Sequence, residues 1–222
     1  MQPDQQNDRR IQIEKAAFEV LAEKGFRRTS MLQIAKRAKA SNETLYAWYG
    51  NKQALFSSII EENGKAARSL LNHAERSKYP PLETLQALGP LLLQFVATEN
   101  AITINRATVE DASETGMLAQ AIDKLARDSI YPLLCRLMDE LAERGDFVLD
   151  AGPRDAADSY LALLFGEVQI RQAFGIQPPF SQEQITAKAD RAFDLMLRLF
   201  GAAESGGEKA QASPQTNILD ET

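Results

Sequence analysis

The sequence predicts an all-α protein in which a compact N-terminal module of short helices precedes a larger helical body. Apolar residues recur at intervals of three and four along most of the 222-residue chain, which is the spacing of amphipathic helices. Valine, isoleucine and threonine never alternate with polar residues for long enough to predict a sheet. Glycine and proline cut the helical pattern into segments and so set the expected ends of the helices.

The N-terminal module is predicted to contain one long helix followed by two short ones. The first helix is expected over about 8–24, with a glycine stop after it. Ser30 caps the second helix, and Gln33 stands where a capping box needs it. Ser41 caps a third helix of about two turns, which ends at Gly50. Two short helices joined by a tight turn and braced by a preceding helix form the helix-turn-helix arrangement.

The body begins after a fourth helix, which Asn51 caps and which runs to about Asn63. Five long amphipathic stretches follow, and the ends of the chain are poor in large apolar residues. The stretches lie at roughly 81–98, 101–113, 116–144, 153–175 and 181–200. The predicted organisation is a disordered N-terminus over 1–8, a helix-turn-helix domain over 9–64, a helical effector-binding and dimerisation domain over 65–201, and a disordered tail over 202–222.

Charge is distributed unevenly between these parts. Residues 9–52 hold ten lysines and arginines against four glutamates, a net charge of +6, whereas the remaining residues hold 15 basic and 27 acidic side chains, a net charge of −12. A basic module on an acidic body favours a nucleic-acid partner, although an ordinary solvated charged face has the same composition.

Several classes of protein are excluded or disfavoured by what the sequence lacks. The single cysteine, Cys135, forms no intramolecular disulfide and supports no cysteine-rich metal site. No G-x-S-x-G elbow and no glycine-rich phosphate loop is present, so we predict no enzyme, no cofactor and no metal. With no apolar run of membrane-spanning length and no signal peptide, we expect a cytoplasmic protein that does not bind membranes.

The third helix has an unusual outward face. A rotation of 100° per residue places Leu45 and Tyr49 on the side that faces the core. Ala47 lies at the centre of the opposite face, with Tyr46 and Trp48 on its two edges. A small centre lets a helix enter a groove, while hydroxyl-bearing and amide donors on the edges can bind phosphates on either wall. This arrangement favours docking into a groove.

The run AAFEVLAEKGFRRTSMLQIAKRAKASNETLYAWYGNKQALF resembles the DNA-binding domain of the TetR/AcrR family of bacterial transcriptional regulators. The resemblance implies a ligand-responsive regulator, most often a repressor, that leaves a palindromic double-stranded operator when it binds a small-molecule effector. It also implies a homodimer formed through the last two helices. The matching positions are Ala16–Ala17, Gly25–Phe26, Thr29–Ser30, Ile34–Ala35, Ser41, Thr44–Leu45–Tyr46, Tyr49 and Lys52 through Leu55.

The resemblance also implies which residues contact DNA. The second, third and fourth helices would bind phosphates through hydroxyl and ammonium groups, and Asn42, Glu43 and Trp48 would set the operator preference. The predicted DNA-binding residues are Thr29, Ser30, Lys39, Ser41, Asn42, Glu43, Thr44, Tyr46, Trp48 and Lys52.

Two positions depart from the family pattern. Lys39 stands where a glycine is usual; if φ is positive there, the residue costs on the order of 1 kcal/mol. The turn is then differently shaped, or Lys39 reaches a phosphate instead. Glu43 stands where many members have a small residue, and it either complements the dipole of its helix or accepts a hydrogen bond from a cytosine amino group.

The body supplies candidates for an effector pocket and for a dimer interface. Arg106 lies on a largely apolar helix, where it binds an effector or, as the simpler interpretation, pairs with Glu110 four residues on. The predicted effector pocket consists of Leu92, Phe95, Ile102, Arg106, Met117, Tyr131 and Leu134. The predicted dimer interface consists of Tyr160, Leu164, Phe165, Val168, Phe193 and Leu197.

Two other functions remain open at this point. The helical dimer could use its aromatic segment to dock a partner protein instead of DNA. Alternatively, the body could be an enzyme scaffold, for which the sequence provides no set of catalytic residues.

Overall fold

The computed structural model describes residues 3–77 and 79–202, which form twelve α-helices and one π-helical segment. The prediction of an all-α fold is therefore confirmed, since within these residues the only extended pairing is the isolated bridge between Phe147 and Gly201. The helices are α1 Pro3–Arg28, α2 Met31–Arg37, α3 Asn42–Tyr49, α4 Lys52–Asn63, α5 Lys65–Ser77, α6 Pro81–Ala97, α7 Glu99–Ala112, α8 Met117–Asp123, α9 Tyr131–Glu143, α10 Pro153–Phe165, α11 Val168–Ala173 and α12 Gln182–Phe200, and the π-helical segment Lys124–Ile130 joins α8 to α9.

Helices α1 to α3 form the predicted helix-turn-helix unit. The capping box at Ser30 and Gln33 is present, and the Ser41 hydroxyl accepts a hydrogen bond from the backbone N–H of Thr44 at 3.0 Å. Arg37 at the end of α2 donates two hydrogen bonds to Glu23 of α1, each 2.8 Å long. The serine caps thus hold the first turns of α2 and α3, and Arg37 holds α2 against α1.

The first helix is longer than predicted. It begins at Pro3, so the prediction of disorder over 1–8 is wrong for residues 3–8; residues 1 and 2 lie outside the described part of the chain. Proline is compatible with the first turn of a helix because the N–H it lacks has no partner there. At its other end α1 is interrupted by Gly25 at φ 72° and ψ 167°, one turn before Arg28. The predicted disordered tail lies outside the described residues except for Ala202.

Helix α6 lies at the centre of the body, where it contacts α5, α7, α9, α10, α11 and α12. The Tyr160 hydroxyl of α10 donates to the carbonyl of Leu85 in α6, and both residues are buried. Among the described residues no single helix is long and apolar enough to cross a bilayer, although α6 and α7, bent by 54°, reach that length together.

The long predicted helix over 153–175 is divided in the structure. Gly166 adopts φ 48° and ψ −128° and separates α10 from the short α11. A positive φ is strained for residues that carry a Cβ, and glycine permits this sharp change of direction. As a result, α11 packs on α6 and α7 instead of continuing along α10.

The helix-turn-helix unit meets the body at two places. Helix α1 packs on α7, and α4 packs on α8. Gly64, between α4 and α5, lies so close to the buried Leu125 that a Cβ at this position would clash with a Leu125 methyl group. The two parts of the chain are therefore joined by close side-chain packing as well as by the backbone.

Candidate nucleic-acid interface

The outward face of α3 has the composition predicted from the sequence. Leu45 and Tyr49 are buried, with exposed fractions of 0% and 8%, whereas Ala47 is exposed at the centre of the opposite face. Tyr46 is 50% exposed on one edge. Trp48 is half-buried on the other edge, where its ring meets that of Tyr49 edge-on at 6.4 Å between centroids. The helix thus presents a small centre between two aromatic edges.

The turn between α2 and α3 contains a left-handed residue. Lys39 has φ 51°, so the position keeps the conformation that glycine favours, and the condition for the steric cost at this turn is met. The guanidinium of Arg9 in α1 donates hydrogen bonds to the carbonyls of Ala38 and Lys39. These two hydrogen bonds tie the turn to α1. The Lys39 side chain remains exposed next to α3.

We expect Lys39→Gly to raise the free energy of unfolding by about 1 kcal/mol, because glycine adopts the left-handed conformation without the steric cost that a Cβ imposes. Chemical denaturation of both proteins measures the difference. Lys36→Gly, at an exposed helical position of α2, serves as the control and should lower stability by about 1 kcal/mol. A Lys39→Gly protein as unstable as the control would contradict the strain at this turn.

Two of the predicted DNA-binding side chains are engaged inside the protein. Thr29 is buried, and its hydroxyl donates to the carbonyl of Gly25, which the break in α1 leaves available. The prediction that the Thr29 hydroxyl contacts phosphate therefore does not hold in this conformation. Lys52 donates to the carbonyl of Phe26 at 2.7 Å and lies 4.1 Å from the centroid of the Phe26 ring. Contact between Lys52 and phosphate remains a prediction that requires this bond to open.

Most of the other predicted DNA-binding residues are exposed, and Thr44 is partly exposed. Ser30 and Asn42 stand at the N-terminal ends of α2 and α3, and Glu43 is exposed beside Asn42. Ser41 and Thr44 share a hydroxyl–hydroxyl hydrogen bond of 2.8 Å in addition to the backbone cap. This bond orients Thr44 within the first turn of α3.

Comparison with known proteins agrees with this arrangement. Residues 13–59 match the pattern of the bacterial regulatory proteins of the tetR family, and residues 83–202 match the C-terminal domain of the AefR-like transcriptional repressors. The chain belongs to the TetR family. It is a DNA-binding transcriptional regulator, and the family to which it belongs does not consist of enzymes.

Individual TetR-family proteins show the extent of the similarity. The uncharacterized HTH-type transcriptional regulator YvkB of Bacillus subtilis (strain 168) is 26% identical over 154 residues, which cover 68% of this chain and 76% of YvkB. A crystal structure of a TetR-family regulator from Mesorhizobium loti aligns with a TM-score of 0.69 at 20% identity and covers 88% of this chain and 98% of that one. The FadR regulator of Bacillus subtilis in complex with stearoyl-CoA aligns with a TM-score of 0.62 at 19% identity, and the alignment covers 84% of this chain and 96% of FadR.

In this TetR-family protein, the interface between the DNA-binding domain and the body joins basic groups to acidic ones. Arg27 forms an ion pair of 3.2 Å with Glu114, and its backbone N–H donates to Glu110. Burial lowers the pKa of Lys52, while the negative charges of Glu114, Asp111 and Glu110 oppose this shift. The acidic side chains at the end of α7 therefore lie near Arg27 at the end of α1 and Lys52 at the start of α4.

A cleft of about 580 Å³ lies next to this interface. It is bounded by the end of α1, by α7 and by the loop after α11, and it includes Ile102 and Arg106 from the predicted effector pocket. Gln172 of α11 also lines it. Gln172 is 1% exposed, its amide nitrogen donates to the carbonyls of Ala97 and Pro178, and its buried Oε1 has no hydrogen-bond partner among the described residues.

The structure separates the other residues of the predicted effector pocket. Leu92 and Leu134 are buried in the core of the body, and Phe95 is half-buried. Met117 is 37% exposed at the start of α8. Tyr131 faces α10, where the Asp158 carboxylate raises the pKa of the Tyr131 hydroxyl to about 12.

Arg106 does not form the predicted ion pair with Glu110. Its guanidinium donates to the carbonyls of Ala173 and Gln172, at 3.1 Å each, and so caps the C-terminal end of α11. The last carbonyls of a helix lack partners within the helix and carry partial negative charge, which makes them suitable acceptors for arginine. Glu110 is instead held by the backbone N–H of Arg27.

The residues predicted for a dimer interface fall into two groups. Tyr160, Leu164 and Val168 are buried within the protomer, so the prediction that they contact a second copy is wrong for this structure. Leu197 is 37% exposed, and Phe165 and Phe193 are half-buried on the outer sides of α10 and α12. Leu161 of α10 is also half-buried.

Proposed function

We propose that the protein is a repressor that binds a palindromic double-stranded operator as a homodimer and is released by a small-molecule effector. The outward face of α3 carries this proposal: Ala47 leaves room for the helix to enter a major groove, and Tyr46 and Trp48 stand beside it. A regulator of transcription works where the chromosome lies, so the same proposal places it in the bacterial cytoplasm.

The dimer is supported by the outer sides of α10 and α12. Leu161 and Phe165 on α10, with Phe193 and Leu197 on α12, leave apolar surface that one protomer does not cover. Packing these two helices against the same helices of a second copy forms a four-helix bundle with two-fold symmetry. Two recognition helices related by that symmetry then fit an operator with two-fold symmetry.

The cleft between α1, α7 and the loop after α11 is the effector site that we favour. The buried Oε1 of Gln172 lacks a donor, and buried acceptors are normally satisfied, so a ligand with an N–H or O–H group is a suitable partner. The FadR protein of Bacillus subtilis, of similar fold, binds stearoyl-CoA, which supports a small-molecule effector without identifying it. Because the cleft touches α1, a ligand with different affinity for two α1 positions would shift the DNA-binding domain.

A salt titration of operator binding tests this function. Operator fragments are first selected from the organism's own genome, and their affinity is then measured by fluorescence anisotropy at several salt concentrations. We expect log K to fall steeply and linearly with log salt concentration, because the protein displaces counterions from DNA phosphates. Light scattering at micromolar concentration should give the mass of a dimer. A flat salt response would contradict DNA binding, and a monomeric mass would contradict the dimer.

A further inference from the structure

The first turns of α1 and the end of α3 enclose a groove that the predicted DNA-binding residues do not explain. Its volume is about 380 Å³, and it is lined by Gln6, Asn7, Arg10, Trp48 and Tyr49. The groove exists because α1 begins at Pro3: positions 6, 7 and 10 share one side of the helix and form one wall.

The lining of this groove consists of groups that donate hydrogen bonds. The guanidinium of Arg10 is permanently charged and only donates, the indole N–H of Trp48 only donates, and the two amides each carry an NH₂ group. None of the five lining residues carries a carboxylate. Such a set suits an anion, because hydrogen bonds from charged and neutral donors to an anionic oxygen are short and strong.

The hydroxyl of Tyr49 is a further donor in the same groove. Tyr49 is 8% exposed, yet its buried hydroxyl has no hydrogen-bond partner of normal geometry among the described residues. Burial raises the pKa of this hydroxyl, a hydrogen bond with the Arg10 side chain lowers it, and the nearby negative charge of Glu14 raises it again. Buried hydroxyl groups are normally bonded, and Arg10 can only donate to this oxygen, so the hydroxyl proton is left for an acceptor from outside the chain.

We propose that this groove binds a backbone phosphate of the operator, on the flank of the bases that α3 contacts. Trp48 belongs both to the groove and to one edge of the α3 face, so a duplex docked on α3 brings its backbone to the groove. This proposal rests on the DNA binding proposed above. It adds α1 to the elements that bind the duplex and adds one contacted phosphate to each half-site.

The salt dependence of Arg10→Met tests the charge in the groove. Each phosphate contact contributes about 0.9 to the slope of log K against log salt concentration, so loss of one contact per protomer lowers the slope for a dimer by about 1.8. The bases preferred by α3 should not change. Arg144→Met removes one exposed arginine at the end of α9 in the body and serves as the matched control, for which we expect the wild-type slope.

A phosphate scan identifies the position of the contact. Operator duplexes with one neutral methylphosphonate at a time are titrated with wild-type and Arg10→Met protein. Wild type should lose affinity at one flanking phosphate in each half-site, and Arg10→Met should be insensitive at that position. If both proteins share the same scan and the same slope, the groove proposal is wrong while DNA binding stands; a flat wild-type slope would instead contradict the proposed function itself.

Two further measurements separate the hydroxyl from the charge and DNA from free anions. Tyr49→Phe should weaken operator binding by about tenfold or more at an unchanged salt slope, since one hydrogen bond from a neutral donor to an anionic oxygen is lost. Trp48 is the only tryptophan of the chain, so its fluorescence reports on the groove directly. Operator DNA should change this fluorescence, and inorganic phosphate at constant ionic strength should not; saturable quenching by inorganic phosphate in wild type but not in Arg10→Met would overturn the assignment to DNA.

Discussion

Replacing Ala47 by glutamate is expected to weaken operator binding by at least about 100-fold, which corresponds to a loss of about 2.7 kcal/mol. Ala47 is exposed at the centre of the outward face of α3, midway between Tyr46 and Trp48. A longer side chain at this point holds the helix away from the floor of the major groove, where the base edges lie. The new carboxylate also enters a space lined by phosphates, where its charge is repelled and its hydration is lost.

The same substitution should leave the fold almost unchanged. Ala47 contributes nothing to the buried side of α3, which is formed by Leu45 and Tyr49. Glutamate is also a good helix former, so an exposed change from alanine to glutamate costs only a few tenths of a kcal/mol. Thermal unfolding followed by circular dichroism should therefore give nearly the same midpoint for both proteins.

Two control variants distinguish the effect of position 47 from the effect of adding a glutamate side chain. Ala47→Ser adds little volume and no charge, so we expect it to retain most of the operator affinity. Ala119→Glu introduces the same side chain at an exposed position of α8 in the body and should bind like wild type. If Ala47→Glu also bound operator normally, the α3 face would not be the surface that meets DNA, and docking of a partner protein would become the better interpretation.

The helix-turn-helix unit was predictable because its signals are local. Ser30 with Gln33, and Ser41 with Thr44, satisfy free backbone amides over a distance of three residues, so sequence spacing alone determines these contacts. The same holds for the division of α3 into a buried and an exposed side, which follows from the helical period.

The contacts that were not predictable join groups far apart in sequence. Arg9 holds the carbonyl of Lys39, and Arg106 holds carbonyls at the end of α11, yet neither partner is visible in the sequence around the arginine. The helical period also shows which residues share a side but not what covers that side. For this reason Tyr160 and Leu164 were assigned to a dimer interface although α6 and α12 cover α10 inside the protomer.

The second large effect is expected for Asp111→Ala, which should lower the free energy of unfolding by about 2–4 kcal/mol. Asp111 is fully buried at the end of α7. One carboxylate oxygen accepts from the hydroxyl of Thr115 at 2.6 Å, and the other accepts from the backbone N–H of Leu118 at 3.0 Å. Removing the carboxylate leaves both donors without this acceptor in a buried place and opens a small cavity.

The position of Asp111 explains why the loss should be large. The residue before α8 is Gly116, which has no side chain to cap the helix, so Asp111 supplies that cap from the previous helix. Helix α8 packs in turn on α4 of the DNA-binding domain, and the neighbours Glu110 and Glu114 hold Arg27. Loss of the cap therefore loosens the acidic end of α7, the turn after it and the contact with α4 together.

Urea denaturation measures this effect, with Asp111→Asn and Asp128→Ala as comparisons. Asparagine keeps the shape and one acceptor oxygen, so Asp111→Asn should lose about half as much stability as Asp111→Ala. Asp128 is exposed in the π-helical segment, and its replacement should change stability by less than about 0.5 kcal/mol. An Asp111→Ala protein as stable as the Asp128→Ala control would show that the buried carboxylate does not hold α7 and α8 together. A loss of about 2–4 kcal/mol would instead show that the buried carboxylate stabilises the α7–α8 turn, next to which α8 packs on α4 of the DNA-binding domain.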